Sequence, residues 1–428
     1  MKQSKQKIMA AAPHVVFADS PKPKSIREFF QPKFSFALLE MSYPLLLVGS
    51  CGSGRTSTIC SLLAQNIRDE MPFVYINGQG DTSIYSTLFA HAAANQRTDN
   101  LYLINLMCRE PGLSHTFDPI NPLIGDEESF LALFGPAFGK ALHALCVCEQ
   151  AAGVLVDAER LEKFLALEQL EQILNQDIYA PAQQAVGAYL KSIRNLDYGS
   201  GETLEIKEAV RQHEKNIAST QLLIDLMQKY PVASTTPDID FAQLFKSKKF
   251  LLVALPALEK DPDVLGILNT LFACLLSRAT DHFPKASAHP AVVFDASFDL
   301  EVLRSTVLSR FSKTNTVFAY SDFPSEGRPY YLTFRAITKM ARTFINMRSE
   351  SSIPDSIRVS AWEHGVTHKL HEQYFSQLHP GDSIAWGSIG ILRKKVMRKL
   401  LGACRFKFRR VDVPLTEFIT LSKKPMGM

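Results

Sequence analysis

The segment LLLVGSCGSGRTSTI, residues 45–59, constrains the fold more than any other part of the chain. A short apolar run ends at Gly49, Gly52 and Gly54 follow at close spacing, and helix-forming residues begin at Arg55. Glycines let backbone N–H groups turn inward, and the start of a helix presents further N–H groups to an anion. The segment therefore predicts a buried parallel strand, a phosphate-binding loop and a helix.

The loop supplies the candidate ligands of a nucleotide and its metal ion. A hydroxyl at position 56 is suited to Mg²⁺, and backbone N–H groups throughout the loop are suited to phosphate oxygens. We predict a metal site formed by Thr56 and Asp295. The predicted cofactor-binding residues are Gly49, Ser50, Cys51, Gly52, Ser53, Gly54, Arg55, Thr56 and Ser57.

Two positions make hydrolysis doubtful. Phosphate-binding loops carry lysine where this chain has Arg55, and a planar guanidinium binds phosphate but cannot occupy the point position of an ammonium. Asp295 ends the apolar strand AVVFD, as expected of a magnesium-binding carboxylate, but Ala296 follows where an acid that activates water is usual. An ordinary buried strand that happens to end in Asp is the alternative. The pattern predicts Arg55 and Asp295 as the catalytic pair, with binding better supported than turnover.

The order of elements predicts an α/β fold with a mostly parallel sheet and helices on both faces. Strand and helix patterns alternate over residues 41–128, the first part of the nucleotide-binding domain, and sheet patterns return over 233–390, its second part. Between them, residues 129–232 have long amphipathic stretches and no strand pattern, which predicts an inserted all-α domain. Residues 1–40 are predicted as a partly extended leader.

Charge is concentrated near the end of the chain. The net charge is +4, yet residues 391–424 hold eleven Lys/Arg and two acidic residues. This basic C-terminal segment, 391–428, indicates an anionic partner such as nucleic acid, an acidic protein or lipid headgroups, or else a solvated surface. No apolar stretch approaches the ~20 residues that a membrane-spanning helix needs, so we expect a cytoplasmic chain.

Several further segments resemble one family. The stretch FVYINGQGDTSIY, the segment SHTFDPINPL and the run FLLVALPALEKDPDVLG occur in the order found in the cytoplasmic ATPase part of type IV secretion coupling proteins. The chain is similar to the TraD/TraG/FtsK-like group, in particular its Dot/Icm and I-type conjugation branch, over about residues 40–400. The resemblance implies a P-loop NTPase of the RecA/FtsK-like kind that binds ATP and Mg²⁺.

The family pattern also implies partners and a further site residue. It implies a ring, usually of six subunits, in which an arginine of one subunit completes the site of the next, and Arg310 is the candidate here, with Arg304 or a plain surface arginine as alternatives. It implies type IV secretion components as partners, DNA or effector protein as cargo, and recruitment to the inner membrane by those partners. The chain departs from the pattern at four chemically demanding positions, namely Arg55, Gln79, Ala296 and Ser321.

Three functions are consistent with these features. The chain is an ATP-binding coupling-protein-like motor that helps deliver DNA or effector protein to a secretion channel, a catalytically inactive relative that serves as scaffold or adaptor, or a nucleic-acid-handling ATPase outside secretion. Retained scaffold segments with altered catalytic positions indicate a diverged member of the family.

Overall fold

The structure is a computed structural model of the 428-residue chain. It describes residues 18–19, 44–78, 83–107, 114–194, 202–230, 232–256, 262–281, 291–295, 305–311, 314–324, 330–341, 343–349, 351–358, 376, 382–387 and 404–408.

The strands of this part of the chain form one ten-stranded sheet in the order β1-β10-β9-β8-β2-β7-β6-β3-β5-β4. The seven strands from β8 to β4 are parallel, and β9, β10 and β1 extend one edge antiparallel. The strands are β1 Ala18–Asp19, β2 Leu45–Val48, β3 Phe73–Asn77, β4 Leu101–Asn105, β5 Phe250–Ala254, β6 Ala291–Asp295, β7 Asn315–Tyr320, β8 Thr343–Asn346, β9 Asp382–Gly387 and β10 Cys404–Phe408. The predicted α/β class with a mostly parallel sheet is confirmed.

Helices cover both faces of the sheet, because the parallel strands are buried on both sides and read as continuous apolar runs. The described helices are α1 Arg55–Arg68, α2 Ser83–Ala94, α3 Glu127–Phe134, α4 Phe138–Ala151, α5 Ala158–Lys163, α6 Leu167–Ile173, α7 Gln183–Arg194, α8 Glu202–Lys229, α9 Phe241–Leu244, α10 Pro262–Asp281, α11 Ser305–Arg310 and α12 Tyr330–Met340. Short 3-10 helices lie at Thr98–Asn100, Asn121–Leu123 and Asp177–Ala182.

Alternation along β2 assigns its residues to two cores. Leu45 and Leu47 pack into the core that holds the apolar residues of α1 and α2. Leu46 and Val48 belong to the core on the opposite face, which also contains α10, α12 and the helices between α3 and α8. Successive strand residues point to opposite faces, so β2 is anchored from both sides and the loop that follows it has a fixed starting point.

The helices α3 to α8 form an excursion between β4 and β5. Its two ends meet, because Phe117 pairs with both Ala233 and Ile239 in isolated parallel bridges. Its apolar side chains are continuous with the sheet core. These helices occupy the region predicted as an all-α insertion, and the bounds 129–232, like the other domain bounds, stay a prediction.

One helix corrects the expectation about membrane spans. Within the described residues, Asp263–Thr280 of α10 is long and apolar enough to cross a bilayer by length and composition. However, 78% of that window is buried inside the protein. Core helices of globular domains have the same composition when they are surrounded on most sides, and α10 is packed in this way.

Candidate nucleotide-binding site

The predicted loop lies at the carboxyl edge of the parallel strands. It connects β2 to α1, and the sheet register places Val48, the last residue of β2, beside Tyr320 of β7 and Asn346 of β8. Asp295 ends β6 and pairs with Ala319 of β7, so a single strand separates it from β2. Ligands of open parallel sheets bind at this edge. The loop and Asp295 therefore belong to the same site.

Glycine is required at two points of the loop by backbone conformation. Gly52 has a φ of 72° and Gly54 has a φ of 97°, a region that side chains with a Cβ rarely adopt. Gly49 is required by space instead, since a Cβ there would lie 2.5 Å from Ser53 Oγ and 2.9 Å from Met347 Cβ. Backbone conformation thus requires two of the three glycines of the motif, and lack of space requires the third.

The loop is tied to its neighbouring strands through backbone groups. The N–H of Gly49 donates to the carbonyl of Tyr320 at 3.0 Å. Both the N–H and the Oγ of Ser50 donate to the carbonyl of Arg348, at 2.8 and 2.9 Å respectively. The N–H of Ser53 closes a turn on the carbonyl of Ser50 at 3.0 Å. These bonds hold the first half of the loop rigidly against the sheet.

The start of α1 is suited to an anion. Gly54 is the N-cap and has no side chain that could accept from the first N–H groups of the helix. Uncapped N–H groups at a helix start carry partial positive charge and attract phosphate or carboxylate groups. Cys51, Gly52 and Ser57 are exposed around this point. The backbone of the loop therefore fits a phosphate group.

Arg55 is directed into the protein. Its side chain is only 5% exposed, and its Nε donates to Oδ1 of Asp295 at 3.1 Å. Its Nη1 donates to the carbonyls of Gly49 at 2.5 Å and of Tyr320 at 2.9 Å. The guanidinium is thus bound on the inner side of the loop by its own chain. This is the direct structural consequence of arginine at the usual lysine position.

Both oxygens of the Asp295 carboxylate have partners. Oδ1 accepts from Arg55, and Oδ2 accepts from the hydroxyl of Tyr75 at 2.8 Å. Asp295 is 1% exposed and Tyr75 is completely buried. Burial, and next the negative charge of Asp295, raise the pKa of Tyr75 well above its ordinary value, so the hydroxyl keeps its proton and remains a donor.

The Mg²⁺ site predicted from Thr56 and Asp295 stays a prediction. Mg²⁺ is attracted to charged oxygen ligands, whereas the charge of Asp295 is already neutralised by a guanidinium, and its other oxygen accepts from a phenol. Thr56 follows Arg55 at the start of α1 and is half-buried. Over the described part of the chain, no group of three or more His, Cys, Asp or Glu side chains is placed to hold a metal ion.

Arg310 has partners within its own chain. Its guanidinium donates to Asp126 and, at 2.9 Å, to Oε2 of Glu128, and only 19% of its side chain is exposed. Burial raises the pKa of Asp126, but the hydrogen bonds from Arg310 and Ser129 outweigh it, and the pKa lies below its ordinary value. Arg310 therefore joins α11 to the start of α3. The predicted trans role requires it to leave these partners.

Ser321 is exposed directly after β7, and the neighbouring Asp322 accepts hydrogen bonds from the N–H of Phe323 and the hydroxyl of Ser349. The predictions concerning Gln79, Ala296 and Arg304 lie outside the described residues, as does most of the basic C-terminal segment.

Two site residues were missed by the sequence reasoning. Tyr75 lies inside the predicted strand FVYIN, where nothing in the pattern distinguishes it from a core tyrosine. Arg348 follows β8, and its Nη2 donates to the carbonyl of Cys51 at 3.1 Å. Since β8 was not recognised as a strand, the proximity of Arg348 to the loop had no signal in the sequence.

Part of the chain is similar in sequence to a known protein. The type 4 coupling protein DotL of Legionella pneumophila subsp. pneumophila (strain Philadelphia 1) is 27% identical over 286 residues, which cover 56% of this chain and 36% of DotL. The matched part thus spans about a third of that relative. No protein-family model matches the chain.

Solved structures show the same fold. The bacterial conjugative coupling protein TrwB in an unbound form has a TM-score of 0.62 at 10% identity, covering 97% of each chain. The structure of TrwB with the non-hydrolysable GTP analogue GDPNP also has a TM-score of 0.62, with 10% identity, 97% of this chain and 98% of that chain. TrwB with ADP and Mg²⁺ has a TM-score of 0.61 with the same identity and coverage.

The strand order, the loop at the carboxyl edge and the likeness to TrwB show an α/β P-loop NTPase fold. The sequence similarity to DotL, taken with that fold, supports a type IV secretion coupling protein-like family for this chain.

Proposed function

We propose that the chain is a coupling-protein-like component of a type IV secretion system that binds ATP without turning it over. The observation that carries the proposal is the buried ion pair between Arg55 and Asp295. In this pair the guanidinium that would otherwise bind phosphate and the carboxylate that would otherwise bind metal are bound to each other. Nucleotide then serves as a structural ligand, and the chain acts as scaffold or adaptor in the delivery of effector protein or DNA.

The loop itself supports the binding half of the proposal. Phosphate groups would be held by backbone N–H groups among residues 51–57 other than Ser53, since the glycine conformations and the uncapped helix start leave these donors available. When bound, ATP supplies negative charge that links the loop to α1. TrwB, which shares the fold, has been solved with nucleotide analogues and with ADP and Mg²⁺.

The loss of turnover follows from charge placement. Phosphoryl transfer requires a cation at the developing charge and a positioned water molecule or base. In this chain the guanidinium of residue 55 neutralises Asp295, and Ala296 stands where the family has an acid. The guanidinium is therefore bound to Asp295, and residue 296 has no carboxylate to activate water.

Assembly and location are part of the same proposal. We infer a cytoplasmic subunit of a homo- or hetero-oligomeric ring, recruited to the inner membrane by other secretion components. The coupling-protein-like family relation supports this proposal. Native mass spectrometry of the purified chain would report its stoichiometry and its bound nucleotide together.

The decisive experiment measures binding and turnover on the same preparation. Isothermal titration calorimetry with ATP should show saturable binding, and a phosphate-release assay should show no release above the buffer rate, with or without DNA. Sustained phosphate release that disappears in Asp295→Asn would overturn the scaffold proposal and favour a motor. Absence of ATP binding would remove the nucleotide from the proposed function.

A further inference from the structure

The loop needs a positive charge from elsewhere if it binds a triphosphate. Backbone N–H groups provide partial charge only, and Arg55 is turned inward onto Asp295 and two carbonyls. Anionic phosphate groups in proteins are usually matched by a full cationic charge as well. A triphosphate in this loop therefore calls for a second cation beside it.

Arg348 lies against the outer half of the loop. Its own carbonyl accepts from Ser50, which fixes its backbone, and its Nη2 donates to the carbonyl of Cys51 at 3.1 Å. A Cβ built on Gly52 would lie 3.4 Å from the same Nη2. The guanidinium is thus beside residues 51–52, on the exposed side of the loop, whereas that of Arg55 is on the buried side.

The guanidinium of Arg348 has unused hydrogen-bonding capacity. It carries five N–H donors, and its Nε is buried without a hydrogen-bond partner among the described residues. No carboxylate in that part of the chain forms an ion pair with it, in contrast to Arg55 and Arg310. A buried donor without a partner is unusual in a folded protein and calls for a ligand or a water molecule.

We propose that Arg348, and not Arg55, supplies the charged contact to the phosphate groups of the nucleotide. The inference rests on the proposed function, since it names the cation of the same site. The two arginines have separate tasks. Arg55 neutralises the buried carboxylate and holds the loop to the sheet. Arg348, which follows β8, binds the anion through its planar guanidinium.

Three substitutions at this position separate charge from loop support. Arg348→Ala removes both, Arg348→Gln keeps a neutral donor for the Cys51 carbonyl, and Arg348→Lys keeps the charge. ATP binding without added Mg²⁺ is measured by calorimetry, and inorganic tripolyphosphate is used as a second probe that lacks base and sugar. Arg211→Ala is the matched control, because Arg211 is 80% exposed on α8, in the helical excursion.

The expected result is a loss tied to charge. Removing a charged hydrogen bond weakens binding by about 10- to 100-fold, so Arg348→Ala and Arg348→Gln should bind both probes that much more weakly. Arg348→Lys should retain most of the affinity, and Arg211→Ala should bind as the wild type does. Thermal unfolding and circular dichroism of each variant establish that it is folded, and if Arg348→Ala does not fold, the Gln and Lys variants decide.

Each contrary outcome has a distinct meaning. Wild-type affinity in Arg348→Gln would show that the side chain only supports the loop, and would overturn this inference while ATP binding stands. Equal losses in the Gln and Lys variants would overturn it as well, since charge would then be irrelevant. Failure of the wild type to bind either probe would instead overturn the nucleotide-binding function on which the inference rests.

Discussion

Arg55 and Asp295 form a buried ion pair across the loop, with Nε donating to Oδ1 at 3.1 Å and exposures of 5% and 1%. The two residues are 240 positions apart in sequence, at the start of α1 and the end of β6. The pair joins the two halves of the sheet domain on either side of the helical excursion. Arg55, which stands at the usual lysine position, therefore has a defined structural partner.

Arg55→Ala is expected to destabilise the protein strongly. Removing one member of a buried ion pair leaves the other charge unpaired and costs about 3–5 kcal/mol. The free energy of unfolding, measured with urea, should fall by that amount. The double variant Arg55→Met with Asp295→Asn should recover part of the loss, since it leaves no buried charge.

Arg68→Ala is the matched control on the same helix. Arg68 pairs with Asp69 but is 55% exposed, and exposed ion pairs contribute about 0–1 kcal/mol. Equal effects of the two substitutions would contradict the assignment of a structural role to the inner pair.

Nucleotide binding should not depend on Mg²⁺. The Asp295 carboxylate is neutralised by Arg55 and also accepts from Tyr75, so it attracts a metal ion only weakly. Calorimetric titration of ATP in excess EDTA and in millimolar Mg²⁺ should give affinities that agree within about threefold, well below the tenfold change that 1.4 kcal/mol represents. A large gain in affinity with Mg²⁺ would show that the ion pair opens on binding.

The sequence predicted the scaffold of this site well, because its signals are local. Leu45–Val48 is an apolar run that ends at Gly49, and α1 begins at Arg55 as expected. The strand that ends in Asp295 was recognised for the same reason. Short apolar runs bounded by glycine or a polar residue depend on neighbours in sequence, and such patterns can be read directly.

The direction of each side chain could not be predicted. Arginine at position 55 has the same sequence signal whether it faces a phosphate group or the sheet, and the choice depends on Asp295 and the Tyr320 carbonyl, which are distant in sequence. Arg348 was missed because the four-residue strand β8 has a weak pattern. Long-range pairing, and not local propensity, determines these positions.

Tyr75→Phe tests the second partner of the buried carboxylate. The substitution removes the hydroxyl that donates to Asp295 Oδ2, and a buried acceptor that loses its donor costs about 1–3 kcal/mol. The urea unfolding midpoint should fall accordingly. Tyr102→Phe is the control, since the Tyr102 ring packs against His115 and Lys249 at a half-buried position and should change little. A Tyr75→Phe variant as stable as the wild type would remove the phenol from the account of the site.

The contact between Asp126 and Arg310 should make stability pH-dependent. Because the folded pKa of Asp126 lies below its ordinary value, its contribution is complete above the unfolded carboxyl pKa of about 4 and is lost as the pH falls through the folded pKa. Asp126→Asn should therefore be less stable than the wild type near neutral pH, and the difference should shrink in acid. Urea unfolding from about pH 7 to about pH 2.5 measures this trend, with exposed Asp177→Asn as the control. A difference that stays constant across the range would contradict the ion pair.

Cys51 offers a chemical readout of the loop without any substitution. It is exposed at the outer side of the loop, whereas Cys60, Cys146, Cys148 and Cys274 are buried. Iodoacetamide should therefore alkylate Cys51 well before those four. ATP bound against residues 51–57 should cover this thiol and slow its alkylation several-fold, and the protection should require a higher ATP concentration in Arg348→Ala. Peptide mass spectrometry after timed quenching measures the rate at each cysteine, and a Cys51 rate that saturating ATP leaves unchanged would place the nucleotide away from this loop.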